Sequence, residues 1–158
     1  LELALAYHFY KSGRDVTSVA WDHGSTRVYK YGDPGIEQHL SSFLNGGTSI
    51  NHALTKALDL IDKGSRSDFA DMLILTDADI NDRPDEEPEL AARIKAYRAN
   101  GGRIWAVLIG CSEYDARTIR QWVDGAIAVE DLMKGEDKLE KLLVDMSITR
   151  FESDRKNV

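Results

Sequence analysis

Leucine and alanine crowd the first twelve positions and Gly13 follows as a stop, which predicts a helix over 1–12. Val16 to Trp21 and Thr26 to Tyr31 read as strands, joined by the turn residues Asp22-His23-Gly24-Ser25, so they predict an antiparallel hairpin. Asp33-Pro34-Gly35 turns the chain into a short helix over about 35–44, which Asn45-Gly46-Gly47 breaks. From Ser49 to Lys63 the apolar positions Ile50, Leu54, Ala57, Leu58 and Ile61 recur at helical spacing, and Gly64 ends the run. Met72-Leu73-Ile74-Leu75 and Ile104 to Ile109 are continuous apolar runs, as expected of strands buried on both faces. The spacing of Leu90, Ile94 and Tyr97 predicts a helix over 89–100 that Gly101-Gly102 closes. Further helices are predicted over 114–123 and 135–147, the last on Leu139, Leu142, Leu143 and Met146, with a strand over 126–129 between them. Asp77 to Pro88 is acidic and contains proline, so it reads as a loop.

Strands that alternate with helices, two of them apolar throughout, predict an α/β fold. The expected form is doubly wound, with a mostly parallel sheet, helices on both faces and the hairpin at an antiparallel edge. Residues 1–150 form one domain in this reading and 151–158 a polar tail.

Composition narrows the function. Asp and Glu number 27 against 20 Lys and Arg, a formal net charge of −7, whereas a general nucleic-acid binder needs a basic stripe. The longest strongly apolar run, Ile104 to Ile109, is too short to span a bilayer. The single cysteine, Cys111, can form no internal disulfide, which favours a cytoplasmic placement.

Ligands of open α/β sheets bind beyond the carboxyl ends of the strands. Thr76, Asp77 and Asp79 stand after one predicted strand, Gly110, Cys111 and Ser112 after another, and Asp22 after a third. Asn45-Gly46-Gly47-Thr48-Ser49 leads into a helix, where glycines allow close backbone approach and Thr48 offers a hydroxyl. A carboxylate and a hydroxyl at such an edge are hard oxygen donors, suited to magnesium, manganese or calcium rather than zinc. The plainer alternative is that Thr48 and Ser49 only cap a helix and Asp77 only begins a turn.

Gly46-Gly47-Thr48-Ser49-Ile50-Asn51-His52-Ala53-Leu54, followed by Leu73-Ile74-Leu75-Thr76-Asp77, resembles the von Willebrand factor A (VWA) domain family, over nearly the whole chain. The resemblance implies a metal-ion-dependent adhesion site (MIDAS) with Thr48 and Asp77 as ligands of a magnesium ion. A partner's Asp or Glu side chain would complete the coordination, in a protein–protein interaction without catalysis. Bacterial intracellular members often work beside MoxR-type ring ATPases, which makes such a system an expected partner. The family's glycine after the aspartate is Ala78 here. Its Asp-x-Ser-x-Ser motif has no counterpart, and Asp62-Lys63-Gly64-Ser65-Arg66-Ser67 misses it by one position.

The chain begins at Leu1, within what should be the helix after that motif, so against the family pattern it reads as N-terminally truncated. A central strand carries about five or six buried apolar side chains at roughly 1.5–3 kcal/mol each, so its loss would cost on the order of 10 kcal/mol. A longer parent chain or a completing segment is therefore expected. With three of five ligand positions lacking a counterpart, the isolated chain is expected to bind magnesium weakly or not at all.

Two other classes compete. Asp77 and Asp79 form an Asp-x-Asp pair of the kind used by haloacid dehalogenase-type phosphatases and by nucleotide-sugar glycosyltransferases, but neither class accounts for Gly46 to Leu54. A structural module with a degenerate metal site is the third reading. The remaining chemistry-bearing residues have ordinary explanations. His52 reads as a solvated helix position, Asp22 and His23 as turn residues and Cys111 as a packed thiol. Ile119, Trp122 and Val123 read as core, and Asp82 to Glu87 as a solvated acidic loop.

Overall fold

A computed structural model describes residues 2–21, 26–32, 49–64, 70–77, 80, 82–112, 116–131, 137–144 and 146. The expected helix over 35–44, the turn at 22–25 and the tail from 151 lie outside the described residues. The chain divides into two compact units, one of residues 1–64 with 79–91 and one of 65–78 with 92–158.

In the first unit, α1 runs Glu2–Lys11 and ends as the sequence predicts. Arg14 N–H donates to the Phe9 carbonyl and Gly13 N–H to that of Tyr10, with Gly13 at φ +79°. That is a Schellman closure, and its left-handed residue is the glycine that accepts the conformation without strain. Strands β1 (Thr17–Trp21) and β2 (Thr26–Lys30) pair antiparallel from Thr17↔Lys30 to Trp21↔Thr26. Helix α2 (Ile50–Lys63) packs on this hairpin and buries Ile50, Ala53, Leu54 and Leu58. Its expected positions Ala57 and Ile61 are only half-buried.

The second unit is built on a parallel sheet in the order β3-β4-β5, formed by Met72–Thr76, Ile104–Ile109 and Gly125–Val129. Parallel neighbours need a crossover connection. Helix α3 (Pro88–Ala99) connects β3 to β4, and the short α4 (Ala116–Ile119) connects β4 to β5 and packs against β5. Central β4 is covered on both faces from Ile104 to Leu108, as its sequence predicts. β3 departs from expectation: Met72, Ile74 and Thr76 are buried, but Leu73 and Leu75 are half-exposed, so one face is closed and the other only partly covered. Trp105 lies opposite Gly125, where a Cβ would stand 2.6 Å from the indole ring, so the large residue is matched by the smallest.

The helix expected over 114–123 is regular only from Ala116 to Ile119. Trp122 and Val123 turn into the core instead of continuing it, and Asp124 N–H then donates to the Ile104 carbonyl at 2.7 Å. The Asp124 carboxylate accepts from Ile104 N–H at 2.9 Å and from the Arg98 guanidinium at 2.7 Å, joining the end of α3 to the first residue of β4. Asp124→Ala removes the Ile104 bond and both Arg98 bonds, and is expected to destabilise the protein by about 1–2 kcal/mol, read by urea unfolding. An unchanged midpoint would mean that solvent replaces these contacts in full. Residues 137–144 and 146 are helical, with Leu142 and Met146 buried.

Candidate functional site

The carboxyl ends of three parallel strands share one edge of the second unit, and each is followed by polar residues: Asp77 after β3, Gly110-Cys111-Ser112 after β4, Glu130 and Asp131 after β5. Asp77 is exposed there. Its backbone is held from the neighbouring strand end, because the buried Cys111 thiol donates to the Asp77 carbonyl at 2.8 Å. The chain can make that contact because Gly110 turns at φ +72° while its N–H donates to the Val129 carbonyl. Cys111 is thus a packed thiol, as read from the sequence, and it fixes the backbone from which the Asp77 carboxylate projects.

Thr48, the other expected metal ligand, lies outside the described residues, as do Ala78 and Asp79. Ser49, the next residue, is described, and it sits at the N-cap of α2 with extended backbone, φ −100° and ψ 97°. A serine here ordinarily caps the helix with its own oxygen. This one makes no such bond. Its hydroxyl donates instead to Asp82 Oδ2 at 2.7 Å. The same carboxylate accepts from Ile50 N–H at 2.8 Å through Oδ1 and from Asn51 N–H at 3.2 Å through Oδ2. A residue more than thirty positions away therefore supplies the anionic cap that the first turn lacks locally. The arrangement is favourable because unpaired N–H groups and the helix dipole both attract negative charge at that end.

Asn51, 8% exposed, extends the contact: its Nδ2 donates to the Arg83 carbonyl at 3.4 Å, while its Oδ1 has no partner among the described residues. Arg83 pairs in turn with Asp85 and Glu86, and Pro84 is buried at the start of a single 3-10 turn over Pro84–Glu86.

Asp82 is the residue that reading the sequence missed, since the acidic stretch reads there as solvated charge. One signal was present. The first turn of α2 holds no acidic residue, and His52 stands where a capping box would place Glu or Gln, so an outside acceptor was wanted. Nothing local selects Asp82 over its acidic neighbours. His52 is exposed, and Ile119, Trp122 and Val123 are buried, in line with their ordinary readings.

Comparison with known protein families, with curated proteins and with solved structures finds no match to this chain. No helix among the described residues is long and apolar enough to cross a membrane. Nor do the described residues contain a group of three or more His, Cys, Asp or Glu side chains placed to hold a metal ion. Of the two expected ligands, Asp77 is the described one, and its exposed carboxylate is a hard oxygen donor of the kind that suits magnesium.

Proposed function

We propose that the chain is a doubly wound, VWA-like interaction module that uses Thr48 and Asp77 to hold a divalent ion for a partner's Asp or Glu side chain. The observation that carries the reading is the position of Asp77: an exposed carboxylate directly after a parallel strand, on a backbone anchored by Cys111. That is where open α/β sheets place their ligands. The sequence Gly46 to Leu54 adds a hydroxyl before a helix, and Ser49 is held at the start of that helix.

The chemistry required of the chain is modest. Asp77 supplies charge and Thr48 a neutral oxygen, so the pair leaves net positive charge on the ion, which attracts a carboxylate. Magnesium tolerates such a shell because it keeps several waters and needs only one or two protein carboxylates. With two donors from this chain, affinity is expected to be weak.

A paramagnetic titration suits weak binding. Manganese added to the isotopically labelled protein is expected to broaden amide resonances around Asp77 and Ser49 selectively, and Asp77→Ala is expected to abolish that pattern while leaving the spectrum of β4 unchanged. Broadening spread over the acidic surface, or identical in the variant, would overturn the reading.

A further inference from the structure

The two edges of the parallel sheet are finished differently. At β5, Val129 turns its carbonyl toward the end of β4, where Gly110 N–H donates to it, so the carbonyls of Ala126 and Ala128 point outward. Cationic side chains close them: Arg120 donates to the Ala126 carbonyl at 3.1 Å and Lys138 to that of Ala128 at 3.0 Å. At β3, Met72 N–H donates to the Arg103 carbonyl, so Met72, Ile74 and Thr76 turn their main-chain groups toward β4, and Leu73 and Leu75 turn theirs outward. The N–H and C=O groups of Leu73 and Leu75 have no partner among the described residues. We propose that this edge accepts an extended segment of a partner protein as a further strand, apolar at its centre and carrying Lys or Arg at both ends.

An edge strand is ordinarily protected by a charge, a proline, a bulge or a cover. Met72-Leu73-Ile74-Leu75-Thr76 holds no charge and no proline, and it pairs with β4 residue for residue, without a bulge. Side chains alternate along a strand, so Asp71, Leu73, Leu75 and Asp77 fall on one face, the one that is only partly covered. An incoming strand of the proposed kind sets apolar side chains beside the two leucines and cations beside the two carboxylates, where opposite charges across a strand pair attract. A second copy of the chain fits poorly. Aligned antiparallel over the whole of β3, it sets Asp71 against Asp77 at both ends; aligned parallel, it sets each aspartate against itself. Like charges directly opposite destabilise a strand pair. Main-chain hydrogen bonds supply the affinity in this mode of binding, and the side-chain pattern selects the partner. No metal enters, so the proposal does not depend on the function proposed above.

Amide hydrogen exchange followed by NMR, in metal-free buffer, is the test. In the chain alone, the Leu73 and Leu75 amides are expected to exchange roughly tenfold faster than those of Met72 and Ile74. The probe is the peptide Lys-Thr-Val-Thr-Val-Thr-Lys, which alternates as a strand and places its lysines opposite Asp71 and Asp77. At saturation it is expected to slow both leucine amides roughly tenfold, whereas Glu-Thr-Val-Thr-Val-Thr-Glu is expected to leave them unchanged. Leu75→Pro removes an N–H that the described chain does not use, so this variant is expected to fold and to lose the peptide. Should thermal unfolding show that it does not fold, the two peptides on the parent chain still decide. Slow exchange at Leu73 and Leu75 before any peptide is added would overturn the proposal, as would no response to the lysine peptide or an equal response to both peptides. Slowing that grows with protein concentration alone identifies a second copy as the occupant and overturns it as well.

Discussion

Leu108→Ala is expected to lower the unfolding free energy by about 2–5 kcal/mol, a large fraction of the roughly 5–15 kcal/mol typical of a domain. Leu108 is fully buried in β4, between Thr76 of β3 and Ala128 of β5. Hydrogen-bonded strands on both sides hold the backbone in place, so the space left by the deleted side chain cannot close by local collapse. The cost then includes the cavity as well as the lost transfer of methyl groups from water. Leu75→Ala in β3 makes the comparison, since Leu75 is half-exposed and part of its surface already meets solvent. Urea unfolding should place Leu108→Ala well below Leu75→Ala. Equal midpoints would show that β4 is not the closed centre of this sheet.

What could be read from the sequence depended on whether the deciding interaction was local. The ends of α1 and α3 were legible because Gly13 and Gly101 take positive φ at the residue where a Schellman closure needs it. β4 was legible because an apolar run bounded by turn residues has few other stable solutions. The hairpin was legible from two strand-like segments separated by turn chemistry. The end of α4 was not: Ala116 to Val123 has ordinary helical character, and the burial of Trp122 and Val123 together with the Asp124–Ile104 bonds draws the chain away from the helix. Burial of the second face of β3 was overestimated, because an apolar run reports what a strand can bury rather than what covers it. At the candidate site, Asp77 was placed correctly at a strand end, whereas the partnership of Ser49 with Asp82 spans 33 residues and leaves no periodic trace.

Gly102→Ala is expected to destabilise the protein by about 2–4 kcal/mol, from overpacking together with loss of hydrogen bonds. A Cβ at position 102 would lie 2.2 Å from the Tyr97 ring, far inside contact distance. α3 ends with Gly102 N–H donating to the Tyr97 carbonyl and Gly101 N–H to that of Arg98, so Gly102 occupies the position whose side chain would ordinarily pack on residue 97. Here the tyrosine ring takes that space itself. It cannot simply swing away, because its hydroxyl lies 2.6 Å from the Ala70 carbonyl and 3.1 Å from that of Arg103, tying α3 to the approaches to β3 and β4. Burial, and then the nearby Asp71 charge, push the Tyr97 phenol well above its ordinary range. The native state therefore keeps this proton at a pH where the unfolded chain loses it. Stability should fall as pH rises beyond about 10, by up to about 1.4 kcal/mol per unit from this group, and Tyr97→Phe should remove that part of the slope. A double-mutant cycle completes the test. In a Tyr97→Ala background the space beside residue 102 is vacant, so Gly102→Ala should cost about 1 kcal/mol or less, far below its cost beside the intact ring. Equal costs in the two backgrounds would mean that the glycine serves the backbone of the turn and not the tyrosine.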